Sequence, residues 1–221
     1  MISAVAASGM PGRVVFLGPS LDRGEAEGLL MAEYRPPIRR GDLESVAPGQ
    51  TVLILDGEFD QCLSVSPKEI LRCLQAGSVV VGAASMGALR AAELAPLGMI
   101  GIGRIFEMYR AACIDGDDEV AVSYCPLTMK THTIPLINIR CWLESARCSG
   151  WLESIEQQRI LRQARRIFYA DRTPERVLAL LADCLGSKRF DSLCECGLAV
   201  IPDVKANDAR MALISIGRSV R

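Results

Sequence analysis

The sequence has a single histidine, His132, among 221 residues. One histidine cannot anchor a clustered zinc site, and a Ser–His–Asp triad would have only this residue to use. It follows Lys130-Thr131 in an irregular segment and reads as a loop histidine. An excess of charge is also missing: 25 Lys+Arg stand against 26 Asp+Glu, a formal net charge of −1. Without a global field the chain does not grip nucleic acid or an anionic membrane, so binding has to come from local sites. No apolar stretch approaches the ~20 residues that span a bilayer. The start, MISAVAASGMPGR, lacks the basic residues and the long apolar run of an export signal. There are no internal repeats and no low-complexity segments. Nine cysteines are scattered along the chain. The expectation is a reduced, cytoplasmic protein in which most of them are small core hydrophobes. Only Cys194 and Cys196 are close enough to suggest chelation or redox pairing. Neither a metal nor a cofactor is expected.

What is present is apolar residue content of 50% with 23% charged, enough for one sizeable core. The first half alternates strand and helix signals. Residues 13–17, 51–55 and 78–82 are continuous apolar runs, each stopped by small or turn-forming residues, with helical stretches at 22–32, 66–75 and 86–94. Residues 98–103 read as a further short strand. Continuous apolar strands with helical crossovers imply a parallel sheet covered on both faces. The second half carries helical spacing at 104–114, 136–148 and 152–170, the last with Ile155, Ile160, Leu161, Ala164, Ile167 and Phe168 on one face. Thr173 then caps a helix with Pro174 at its first position and Gly186 at its end. The expected fold is therefore α/β: a small, mostly parallel sheet with flanking helices in the N-terminal half and a helical C-terminal half. Residues 1–186 form one domain (sheet part about 13–103, helical part about 104–186). Residues 187–221 read as a variable C-terminal tail with a weakly amphipathic segment.

The most informative stretch is Gly82-Ala-Ala-Ser85-Met86-Gly87-Ala-Leu-Arg90. A buried strand enters small residues, then a serine, then a helix, an arrangement that exposes a nucleophile at a helix N-terminus. Ser85 is open to a plainer reading as an N-cap. The amides of Met86 and Gly87 are candidate oxyanion donors, and Arg90 either holds a carboxylate or is structural. Ser66-Pro67-Lys68-Glu69 is a capping box that places Lys68 second in its helix. The positive end of the helix dipole there favours a neutral amine, the form a general base requires. The alternative is an exposed surface lysine. Strand 51–55, helix 66–75 and strand 78–82 form a right-handed β-α-β unit, which sets Lys68 and Ser85 on the carboxyl edge of the sheet. Gly18, Ser20, Asp56, Gly57 and Glu58 follow other strands onto the same edge. A serine with a lysine base is a nucleophile pair that needs no histidine.

Several segments in order resemble the TfuA-like proteins. They are Phe16-Leu-Gly-Pro-Ser20, Leu55-Asp-Gly-Glu-Phe59, Lys68-Glu-Ile-Leu71, the run from Gly82 to Leu94, Asp117 to Val122, Asn138-Ile-Arg140 and Phe168 to Arg172. The resemblance covers residues 13–175. It implies a partner of YcaO enzymes in peptide-backbone thioamidation, in the biosynthesis of ribosomally made modified peptides. The implied activity is hydrolysis of the C-terminal thiocarboxylate of a ThiS-like sulfur carrier protein, which supplies sulfide to YcaO. The implied Ser–Lys site maps onto Ser85 and Lys68, with Gly18, Ser20, Asp56, Gly57, Met86, Gly87 and Arg90 as binding residues. The chain departs from the family pattern at Ser66-Pro67, at Tyr124 and at Thr133-Ile134. The alternative function is a non-catalytic adapter that docks the carrier or the peptide onto YcaO, with Asp117-Asp118-Glu119 either as the docking surface or as a solvated acidic turn. Nucleic acid and membrane are not expected partners; a homo-oligomer is allowed.

Overall fold

A computed structural model describes residues 12–59, 62–196 and 200–218. Five strands, β1 (Arg13–Phe16), β2 (Glu33–Arg35), β3 (Thr51–Ile54), β4 (Val79–Gly82) and β5 (Ile100–Gly101), form one parallel sheet in the order β2-β1-β3-β4-β5. Val14 stands opposite Val52, and Val52 opposite Val80, so the apolar runs lie in register across the sheet centre. β2 left no sequence signal. It is three residues of an edge strand, two of them charged, and edge strands need not be apolar.

Period-two alternation sends these residues to two cores. Val14, Phe16, Val52, Ile54 and Val80 face a layer built from α2 (Pro67–Gln75), α3 (Met86–Leu94) and α4 (Arg104–Arg110). Val15, Leu17, Leu53, Leu55 and Val81 face α1 (Arg23–Leu29) and the last helix. A third core, around Leu136, Ile139, Trp142 and Leu143, joins α5 (Leu136–Cys148), α6 (Ser154–Arg166), α7 (Pro174–Leu185) and α8 (Ser187–Glu195). The helix ends follow their sequence signals: Ser66 and Glu69 close the capping box on α2, and Thr173 caps α7 with Pro174 behind it.

Three expectations need correction. Most cysteines are not core residues: only Cys73 and Cys141 are buried, while Cys62, Cys113, Cys148, Cys194 and Cys196 are exposed. On α6 only Ile160 and Ala164 are buried, and Ile155 and Phe168 are exposed, because the helix stops at Arg166 and its apolar stripe is narrow. Residues 187–221, read as a tail, carry α8 and α9 (Val204–Arg218). Ala206, Ala209, Ala212 and Leu213 of α9 are buried against the second face of the sheet. Three alanines let the helix approach closely, and short side chains are also why its hydrophobic signal is weak in sequence.

Candidate active site

The carboxyl edge of the sheet is built around Asp56, just past the end of β3. Its carboxylate accepts from the backbone N–H of Gly18 (2.9 Å), the N–H of Ser20 (3.1 Å) and the hydroxyl of Ser20 (2.6 Å). The loop after β1 is thereby fastened to the strand beside it, at the place where the strand order reverses and open α/β sheets bind ligands. Both glycines here are required by space. A Cβ on Gly18 would lie 2.4 Å from Pro37, and one on Gly57 would lie 2.7 Å from Met86.

Ser85 follows β4 on the same edge. The preceding Ala84 has φ of 64°, a left-handed conformation that costs a non-glycine residue about 1–3 kcal/mol. The Ser85 N–H donates to Ala83 (2.8 Å) and Leu55 (3.1 Å), closing the turn. The sharp turn expected from the small residues is present. Ser85 stands at the N-cap position of α3, as the plainer reading has it, but its hydroxyl makes no capping hydrogen bond. The helix start is pressed onto the sheet: a Cβ on Gly87 would meet the Ile54 carbonyl oxygen at 1.7 Å. Met86 buries its side chain in the core. The first amides of a helix have no intrahelical partner, and Met86 and Gly87 are the first two residues of α3.

Ser85 lines a narrow cleft of about 40 Å³ with Asp56, Glu58, Tyr124, Tyr169 and Lys205 among its walls. That volume holds a few water-sized groups, on the scale of a chain terminus rather than a bulky side chain. Glu58 accepts from the Tyr124 hydroxyl (2.7 Å) and from Arg39 (3.1 Å). Burial first, and then this bond to Glu58, push the Tyr124 hydroxyl far above the ordinary tyrosine range. Asp56 and Glu58 thus engage Ser20, Tyr124 and Arg39 rather than Lys68.

Lys68 sits second in α2 as expected, but its side chain is exposed and it is not among the residues lining this cleft. A shared sheet edge fixes the end of the fold, not the lateral position of a side chain along it. Arg90 resolves to the structural reading: it donates to the Val65 carbonyl (3.1 Å) and pairs with Glu93 (2.7 Å). His132 is an exposed loop residue.

Sequence reasoning missed Lys205, the second residue of α9. Its ammonium nitrogen donates to the Val120 carbonyl (2.9 Å) and stands 3.9 Å from Asp56. Burial pushes this amine below the usual lysine range, against the opposing pull of Asp56 and Asp203. A signal was available: Asp203 accepts from the Ala206 N–H, so Lys205 occupies the same place behind a helix cap that Lys68 occupies behind Ser66.

The acidic segment 117–119 is not a solvated turn as a whole. Glu119 is fully buried and paired with Arg140, and Asp118 accepts from the buried Arg172 (3.0 Å). Three motif segments distant in sequence are cross-linked by these pairs.

The fold and site define a class: a parallel α/β domain, covered on both faces, with a polar cleft at the carboxyl edge of its sheet. Within it, the chain belongs to the TfuA-like protein family, whose model matches residues 56–173, more than half its length. The matched segment holds Asp56, Ser85 and the Glu119–Arg140 and Asp118–Arg172 pairs, and leaves out Ser20 and Lys205. The family is associated with thioamidation and with YcaO-linked systems. Comparison with curated proteins gave no match. Among the described residues, no helix is long and apolar enough to cross a membrane.

Proposed function

We propose that this protein hydrolyses the C-terminal thiocarboxylate of a ThiS-like sulfur carrier and supplies the sulfide to a YcaO enzyme for backbone thioamidation. The observation that carries the reading is Ser85: a serine on a strained strand-to-helix turn, lining a narrow cleft, with a hydroxyl that makes no capping bond. In the reaction the Ser85 oxygen attacks the thiocarboxylate carbon, and its proton passes to a lysine amine. The C–S bond breaks, and the sulfur leaves with that proton as hydrosulfide. Water then cleaves the acyl-serine, releasing the carrier carboxylate and restoring the hydroxyl. The amides of Met86 and Gly87 would hold the developing oxyanion. Lys68 is the sequence-based partner, but it starts from an exposed position; Lys205 already lines the cleft.

The test is the intact mass of a thiocarboxylated carrier incubated with this protein alone. Exchange of sulfur for oxygen by the native protein, lost in Ser85→Ala, is the expected result. Exchange that persists in Ser85→Ala would sink the nucleophile. No exchange from folded protein would leave an adapter that docks the carrier onto YcaO.

A further inference from the structure

We propose that a second cleft, between the starts of α5 and α9, is a carboxylate-binding site with Asn138 and Thr133 as its donors. The assignment does not depend on Ser85 acting as a nucleophile.

This cleft has a volume of about 200 Å³ and shares Pro19, Val122 and Lys205 with the walls of the Ser85 cleft. Asn138 and Thr133 line it at 6% and 4% exposure, too deep for their polar atoms to be ordinary surface groups. The Asn138 carbonyl oxygen accepts from the Val204 N–H (3.1 Å), which fixes the orientation of the carboxamide. Its nitrogen carries two N–H groups and has no acceptor among the described residues. No polar side-chain atom of the described residues is both sealed from solvent and unpaired. The Asn138 nitrogen therefore opens onto the cleft that its residue lines. The Thr133 oxygen accepts from the Ser123 N–H (2.8 Å), and its own hydrogen goes to no described residue. Donors held this deep are costly to leave unpaired, and a ligand oxygen removes that cost.

The charge of the ligand follows from the backbone. α5 and α9 are 13 and 15 residues long, and both begin at this cleft. Pro135 and Asn138 form its wall at one helix start, Asp203 and Lys205 at the other. No side chain caps α5. Two positive dipole ends, with the N–H groups of Lys205 beside them, favour an anion. Among the described residues no arginine lines the cleft, and the exposed Asp203 stands in its wall. A phosphate dianion would lack the forked donor that best matches it and would meet a like charge. A carboxylate carries a single charge and offers two oxygens to the two donors. Its source is either a free small acid or the C-terminus of a peptide chain.

The experiment is a titration of ¹⁵N-labelled native protein, followed through the side-chain amide signals of Asn138, which are assigned by their loss in Asn138→Asp. The probes are acetate, N-acetyltriglycine, its C-terminal amide and inorganic phosphate. Both acids are expected to shift the Asn138 signals saturably, and the amide and phosphate to leave them in place. Tighter binding of N-acetyltriglycine than of acetate identifies a chain end as the source; equal binding identifies a free small acid. Asn138→Asp keeps an oxygen for the Val204 N–H but turns the free donor into a negative charge, and should weaken acid binding by about 10–100-fold. Thr133→Val should weaken it by about tenfold. No saturable shift with either acid would overturn the site, and this outcome needs no variant to fold. So would the amide or phosphate binding as tightly as the acids, or native affinity in Asn138→Asp. Sulfur exchange in the carrier without acid binding removes this site and leaves the thiocarboxylate reading; acid binding without exchange does the reverse.

Discussion

The side-chain carbonyl of Asn138, on α5, accepts the backbone N–H of Val204, 66 residues further on. This bond joins the helical half of the chain to the start of α9 and so sets where Lys205 enters the cleft. Asn138→Ala removes the acceptor and leaves a buried donor, at a cost of about 1–3 kcal/mol. We expect a lower melting temperature together with slower exchange of sulfur for oxygen in the carrier. Exchange at the native rate in a destabilised variant would reduce this bond to a purely structural role.

Lys205 gives a pH signature in stability. Its folded-state pKa is depressed, so the unfolded chain binds the extra proton between the folded and unfolded values. Stability from this group is present above the unfolded value and is lost as pH falls through the folded one. Urea denaturation of native protein and Lys205→Met across that window should show the difference between them widening in favour of the native chain as pH rises. A constant difference would count against a buried amine.

Glu119 and Arg140 form a pair in which the carboxylate is fully buried. Arg140→Ala leaves that charge without its partner, and we expect a loss of about 3–5 kcal/mol. Denaturant melts of Arg140→Ala and of the double variant with Glu119→Gln measure it, because neutralising the carboxylate should recover part of the loss.

Gly87→Ala forces a Cβ against the Ile54 carbonyl oxygen and should push α3 off the sheet. Overpacking of this kind costs about 1–3 kcal/mol. The melting temperature reports that cost, and slower exchange of sulfur for oxygen in the carrier would report the displaced turn. An unchanged melting temperature would mean that the helix start yields easily.

The sequence alone determined the parallel sheet, because apolar runs bounded by turn residues can be satisfied only by burial on both faces. It also determined the α2 and α7 caps and the sharp turn before Ser85, since these depend on residues within a few positions of one another. It placed Gly18, Ser20, Asp56, Gly57 and Ser85 on one edge through the handedness of the crossovers. Tertiary structure alone decided which polar groups meet across that edge. Arg90 is drawn to Val65 and Glu93, Asp118 and Glu119 turn inward to arginines, and Lys205 arrives on a helix whose alanines give little hydrophobic signal. Local patterns record the period and the caps of an element. They do not record the contacts of residues more than a hundred positions apart, such as Lys205 and Asp56, which form only when both faces of the sheet are covered.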